Sequence, residues 1–510
     1  MLTESEFTAA CEQCWQLLSG PGPRCLHALA DQKLQSFCQG GKWSGIWNQN
    51  YMGMFAAAPF LDGELLRLHE NACDWFFRLQ GDGRRADRAG MIAPPGALPE
   101  HVRCEEDGSI QPHYKNDEHS GQAGRYDFWL EGTLGGVIMK SDLLLVSRDR
   151  GDLASSLPKL ELALEWAASR QSPENGLLAA GPAGTFIERA YSGTAAADGT
   201  FSAGYPSGVQ IYYCRALQNM IELERLAGND ARAETYSRQR QRALDSLALL
   251  VEDGRYFINY LDGHGSRHGV LGARKHNYFE SNPNHDAIAF AVAGHDLAEN
   301  ILATIAGIPG LRPTPLLACV YPQRDDTLPG YQSDPAYGPG GGYHWNGSAW
   351  FSSQARLLLA YLRQEHHAEA AALLQRMLAL HASGLLRDVC SDYGRLDGPG
   401  DCNPDAANAL YIDGFAVFAA ALRGLFEFEY RAEALLLRPH LPPGVQSFRL
   451  PTYARFGSKK IYLSCRRDTH GSNICSVQIN GQAYTDFQDR EVTLEYAVLP
   501  QVAEVHLVMS

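Results

Sequence analysis

No run of lysines and arginines occurs anywhere in this 510-residue chain, and its formal charge is −14. Nucleic acid is therefore excluded as a partner, since a phosphate backbone needs a basic stripe to hold it. No stretch reaches the roughly 18 apolar residues that cross a bilayer, so no membrane span is expected. The opening segment, MLTESEFTAACEQCWQLL, has neither a basic start nor an apolar core, which predicts no signal peptide and a cytoplasmic address. The twelve cysteines are scattered. Cys11 and Cys14 make one C-x-x-C, but it falls on a helical pattern without a second pair, so buried thiols are expected there. H-E-x-x-H, EF-hand and Cys/His spacings are missing too, and neither a metal nor a cofactor is expected.

What is present is a globular composition: 45% hydrophobic residues, 20% charged residues and 50 glycines. Helical periodicity runs from the start to about residue 430. It predicts helices at 4–18, 24–38, 62–79, 127–147, 158–170 (opening on Pro158), 209–227, 230–251, 287–307, 348–364, 367–382 and 405–423. Short turns alternate with long loops rich in Gly, Pro, aromatics and amides. Helical hairpins cannot bury their apolar faces alone, so they must stack or close into a ring. After Glu429 the pattern changes. LLLRPHLPPGVQSFRL leads into alternating IYLSCR, CSVQIN, VTLEY and EVHLVM, and Asn480-Gly481 is a two-residue hairpin turn. The chain divides into a helical domain, 1–434, and a small β-domain, 435–510.

Paired helices with long loops at one end, the segment LLLRPHLPPG before the strands, and the texture of DGRYFINYLDGHG resemble the six-hairpin glycosidases. That group includes glucoamylases, debranching-type glucosidases, α-rhamnosidases and inverting disaccharide phosphorylases. The resemblance implies a mainly α fold, an (α/α)6 toroid with a small C-terminal β-unit. It also implies an inverting glycoside hydrolase acting on an oligosaccharide or small glycoside. Many relatives carry an N-terminal β-sandwich for which this chain has no room, so its own strands form a reduced unit.

Glycoside hydrolysis ordinarily uses two carboxyl groups across the scissile bond, one protonated and one ionised. Glu188, in GTFIERAYSG, is the first candidate for general acid. Relatives place a Trp-Met-Asp turn at that point, and Phe186-Ile187-Glu188 matches it in kind; apolar neighbours favour the protonated form. Asp392, in SDYGRLDGPGD, is the candidate base, with Asp397, Asp401 and Glu280 as rivals. Substrate contacts are expected from Trp47, Asn48 and Gln49 in the first loop, where relatives have Arg-Asp and this chain has Gln49-Asn50. Further contacts are expected from Tyr114, Lys115 and Asp117, from Glu280, and from Tyr343, His344, Trp345 and Asn346 in YGPGGGYHWNGSAW. Aromatic faces with fixed amides suit a pyranose, whereas Trp350 at a helix start is expected in the core. The same Tyr343, His344 and Asn346 would serve a toroid polysaccharide lyase as base and stabiliser. An inverting phosphorylase, or a sugar-binding toroid without activity, completes the alternatives. A carbohydrate is the expected partner, and the oligomeric state is left open.

Overall fold

The computed structural model describes residues 3–40, 45–114, 128–181, 204–312, 315–322, 349–384, 410–468 and 471–510, with the short strands 194–195, 201–202 and 389–390 described in backbone only. Twelve α-helices occur among the described residues: α1 Glu4–Ser19, α2 Asn48–Tyr51 (continued by a 3-10 segment, Met52–Ala57), α3 Gly63–Arg78, α4 Leu130–Ser147, α5 Arg150–Ala168, α6 Ser207–Ala227, α7 Asp230–Ser246, α8 Asn282–Ala289, α9 His295–Ala306, α10 Phe351–Arg363, α11 His367–Ser383 and α12 Ile412–Gly424.

Two kinds of helix alternate, and composition separates them. The even-numbered helices are buried nearly all round: every residue of α12 is buried, and so is every residue of α4 but its last. A helix of that kind must be surrounded. The odd-numbered helices bury one stripe; α7, DARAETYSRQRQRALDS, buries only Ala233, Tyr236 and Ala243. The even helices touch in cyclic order, α2 with its extension against α4, then α6, α8, α10 and α12, which returns to the α2 extension. Closure is tight. A Cβ added to Gly53 would stand 2.8 Å from the Cβ of Ala416 on α12.

Connections alternate with equal regularity. Helices α4, α6, α8 and α10 each pass to the next odd one in a few residues, turning at Arg148 (φ 53°), Gly228 (φ 83°) and Glu365 (φ 57°) in three of the hairpins. Every long connection instead enters an even helix at its N-terminus. Short strands sew these long loops together: 46–47 pairs with 101–102, 205–206 with 260–261, 279–280 with 320–321, and 349–350 with 389–390. A bridge from Gly40 to Tyr411 adds the last link. The long loops therefore share one rim, as the sequence pattern suggested.

A repeated device fixes each loop to its helix. Gln210 on α6 bonds both backbone groups of Leu178, at 2.8 and 2.9 Å. Asn284 on α8 does the same to Phe257 and Gln354 on α10 to Leu317. On α4, Thr133 Oγ1 accepts from Leu98 N. Each clamp satisfies loop backbone that would otherwise be buried unpaired.

The C-terminal region forms a five-stranded sheet of Ser447–Phe456, Lys459–Arg467, Val502–Met509, Ile474–Ile479 and Gln482–Tyr484, in that order. The pair Lys459–Arg467 and Val502–Met509 is parallel, and the others are antiparallel. A three-stranded sheet of 429–430, 434–437 and 492–495 joins it to α12. Asn480 (φ 52°) and Gly481 (φ 78°) make the expected hairpin turn, with both residues left-handed. The larger sheet packs on α1 and α4, with Phe7 edge-on to Phe448 at 5.1 Å.

Several helix expectations need correction. Residues 24–38 hold a 3-10 turn, Leu26–Leu29, and a ribbon pairing 30–31 with 36–37. Asp31 accepts from the backbone of Lys33 and Leu34, which closes a turn where a helix would have to run. Helix α5 starts at Arg150 under the Asp149 cap, so Pro158 lies inside it. The stretch 287–307 is interrupted at 290–294, where Ala291 is left-handed and Val292 and Ala293 both donate to Ala287 O.

Candidate active site

Six even-helix N-termini open on the rim, and a layer of polar side chains lies just inside it. Asp286 on α8 accepts from Arg356 Nε on α10 at 2.6 Å and from the Tyr212 hydroxyl on α6 at 2.8 Å. His285 Nδ1 lies 2.8 Å from the same carboxylate, and Arg356 also donates to Ser352 O at 2.7 Å. Across the ring, Asp413 on α12 accepts from Asn50 on α2 and from Gln39. Glu131 on α4 stands against Gly208 on α6, where an added Cβ would meet its Oε1 at 2.6 Å. Asn48 reaches from α2 to Gly132 O at 2.9 Å. Every even helix thus contributes to the layer, and all these side chains are buried.

Burial alone would raise the Asp286 carboxyl, yet Arg356 and His285 outweigh it and hold the group below its usual value. Burial pushes the Tyr212 hydroxyl well above its ordinary range, and pushes His285 down. Burial opposes the charge of Arg356, but Asp286 and Tyr212 raise it above the ordinary arginine value. The layer thus holds the Arg356 cation, an ionised Asp286 carboxylate and a protonated Tyr212 phenol. Such a floor keeps its hydrogen-bonding groups pre-oriented.

Trp47 lies in the strand before α2. The Arg103 guanidinium covers one ring contact at 4.9 Å, and the His101 ring stacks at 4.5 Å. Gln49 follows the buried Asn48 on α2 and is half-buried. Tyr114 is buried; its hydroxyl donates to Leu79 O, and its amide donates to Asp87. Glu280, the residue before Ser281 and α8, takes a hydrogen bond from Asn259, whose other amide atom accepts from Tyr278. Trp350 is buried at the head of α10, as expected. Glu188, Asp392, Lys115, Asp117, Tyr343, His344, Trp345 and Asn346 lie outside the described residues. Sequence reasoning missed Glu131, Asp286, Arg356 and Asp413. Their signal was a charge at the head of a stretch that runs on into apolar residues, as in NPNHDAIAF and FSSQARLLL, where it is costly to bury without a partner.

The C-x-x-C thiols are buried on α1, and burial raises Cys11 to about 12, so both are inert protonated groups, as the sequence suggested.

No family model and no curated protein sequence matches the chain. Solved structures do. The GH78 family rhamnosidase of Bacillus sp. GL1 superposes with a TM-score of 0.53 at 11% identity, covering 90% of this chain and 41% of that one. This chain thus spans less than half of that enzyme. The GH63 mannosylglycerate hydrolase of Thermus thermophilus, in complex with glucose, gives 0.49 at 15% identity over 82% of this chain and 99% of that one. A rhamnosidase from Klebsiella oxytoca with rhamnose bound gives 0.47 at 12% over 80% and 64%. The likeness that carries weight is to the Bacillus enzyme, and at 11% identity it is a likeness of fold.

Proposed function

We propose that the chain is a glycoside hydrolase built on an (α/α)6 toroid over residues 1–434, with a β-domain over 435–510. The observation that carries the reading is the single rim: all the long loops are sewn around one mouth, over a floor to which each even helix contributes a buried polar group. The shared fold with a rhamnosidase supports a sugar as the ligand of that mouth.

Glu188 acts as general acid, delivering its proton to the glycosidic oxygen as the bond breaks. Asp392 acts as base, taking a proton from water that attacks the anomeric carbon from the opposite face, which inverts it. The strand 349–350 pairs with 389–390, which ties the loop entering α10 to the loop entering α12. Asn48, Gln49, Trp47, Tyr114, Lys115, Asp117 and Glu280 belong to the surrounding wall. A cytoplasmic address favours short oligosaccharides or small glycosides.

The test is a panel of aryl glycosides and short oligosaccharides. Glu188→Gln is expected to lower turnover of oligosaccharides by about 10²–10⁴-fold. Aryl glycosides with good leaving groups, which need little protonation, should lose much less. Asp392→Asn should depress both. Unchanged rates in Glu188→Gln would remove the assignment of the acid. An unsaturated uronate product would replace the hydrolase by a lyase.

A further inference from the structure

In the loop between α3 and α4, strands 101–104 and 110–113 pair, and 46–47 from the loop before α2 completes a three-stranded ribbon. Its register sets Trp47, His101 and His113 in one row across the strands. Beside that row stands Glu100. Its Oε2 lies 3.6 Å from His101 Nδ1 and 3.7 Å from His113 Nε2. The three donor atoms all lie within 4.8 Å of one another, the one such gathering of metal-ligating groups among the described residues.

We propose that Glu100, His101 and His113 bind one divalent cation of the zinc type, which clasps this ribbon at the rim. Two imidazoles and a carboxylate are a common donor set for borderline metals, with a fourth position left to water. A tetrahedral site with bonds of about 2.1 Å has edges of about 3.4 Å. Two of the three edges here are within a few tenths of that. The third, between the histidines, must shorten, because their rings stack at 4.5 Å with 24° between planes and cannot both aim at one ion as they stand. His113 is the one that moves, since its side chain is 36% exposed.

Two further features favour an ion there. His101 Nδ1 is buried and makes no hydrogen bond, a state that costs free energy unless something occupies it. Behind His113, the buried Asp87 carboxylate lies 3.9 Å from Nδ1. It is fixed by the backbone amides of Ala89, Met91 and Tyr114, and a carboxylate in that position orients a ligating imidazole. Tyr114 follows His113 directly, so the ion would hold the ribbon that leads into the segment 115–127.

The inference does not depend on the glycosidase reading. It is tested on the full chain, stripped with a chelator and titrated with Co²⁺. A saturable visible d–d band at one equivalent, displaced by Zn²⁺ and accompanied by a rise in Tm, is expected. His113→Ala, at a part-exposed position, should keep the native circular dichroism and weaken cobalt binding at least tenfold. Asp87→Asn should weaken it about 10–100-fold. Absence of the band overturns the proposal. So does a band that survives in the His101→Asn/His113→Ala double variant, because the ligands would then be elsewhere.

Discussion

Arg356 and Asp286 are both buried, and each compensates the charge of the other. Removing one leaves an uncompensated charge in the middle of the ring. Arg356→Met is therefore expected to lose about 3–5 kcal/mol in denaturant unfolding. Arg356→Met combined with Asp286→Asn should cost less than the sum of the two single changes. A strictly additive pair would show that the contact contributes nothing. The same residues explain what was hard to read in the sequence. Trp47 and Asn48 stood out because aromatics and amides clustered in one loop. Asp286, Arg356, Asp413 and Glu131 occur singly, on four different helices, and only the closed ring brings them into one layer.

Among the elements, long periodic helices were plain in the sequence: 62–79 and 367–382 correspond to α3 and α11 within a residue or two. The failures have local causes. Asp31 closes a turn with its side chain, Asp149 caps α5 well before Pro158, and a left-handed Ala291 divides an alanine-rich stretch. The internal repeat was hidden for another reason. Its clamps are built from Gln210, Asn284, Gln354 and Thr133, interchangeable in chemistry and dissimilar in sequence. The closing contact between the α2 extension and α12 can be tested through Gly53. Gly53→Val drives a side chain into Ala416, and about 1–3 kcal/mol of overpacking should appear as a lower Tm. Ala416→Gly in the same chain should restore part of it. If Gly53→Val is neutral, the two helices do not meet that closely.

For the whole molecule, the ring and the β-region are held together by ions at the end away from the rim. Asp142 on α4 takes a bidentate pair from Arg423 on α12, at 2.7 and 2.8 Å. Glu429 binds Arg215 on α6, and Glu427 binds Arg363, Arg438 and His440. Burial would raise both glutamates, but these cations overcome it and bring each to about 2. Burial lowers Arg363, which begins so high that it stays charged. A carboxyl lowered on folding stabilises above its unfolded value, near 4.5, and loses that stabilisation as pH falls toward 2. Each of the two is worth about 3 kcal/mol at neutral pH by this reasoning. His440 runs the other way: its neighbours raise it, so its share is present below its unfolded value and fades as pH rises through the folded one. Unfolding free energy should therefore drop steeply between about pH 4.5 and 2, and Glu427→Gln with Glu429→Gln should flatten that drop. An acid limb unchanged in the double variant would assign the loss to other carboxyls.

The mouth itself is tested most directly by proton NMR of the first sugar released from a glycoside by the purified chain, followed before mutarotation. A hemiacetal of the configuration opposite to the substrate's is expected from wild type and not from Glu188→Gln. Retention of configuration, an unsaturated product, or no cleavage of any glycoside would contradict it.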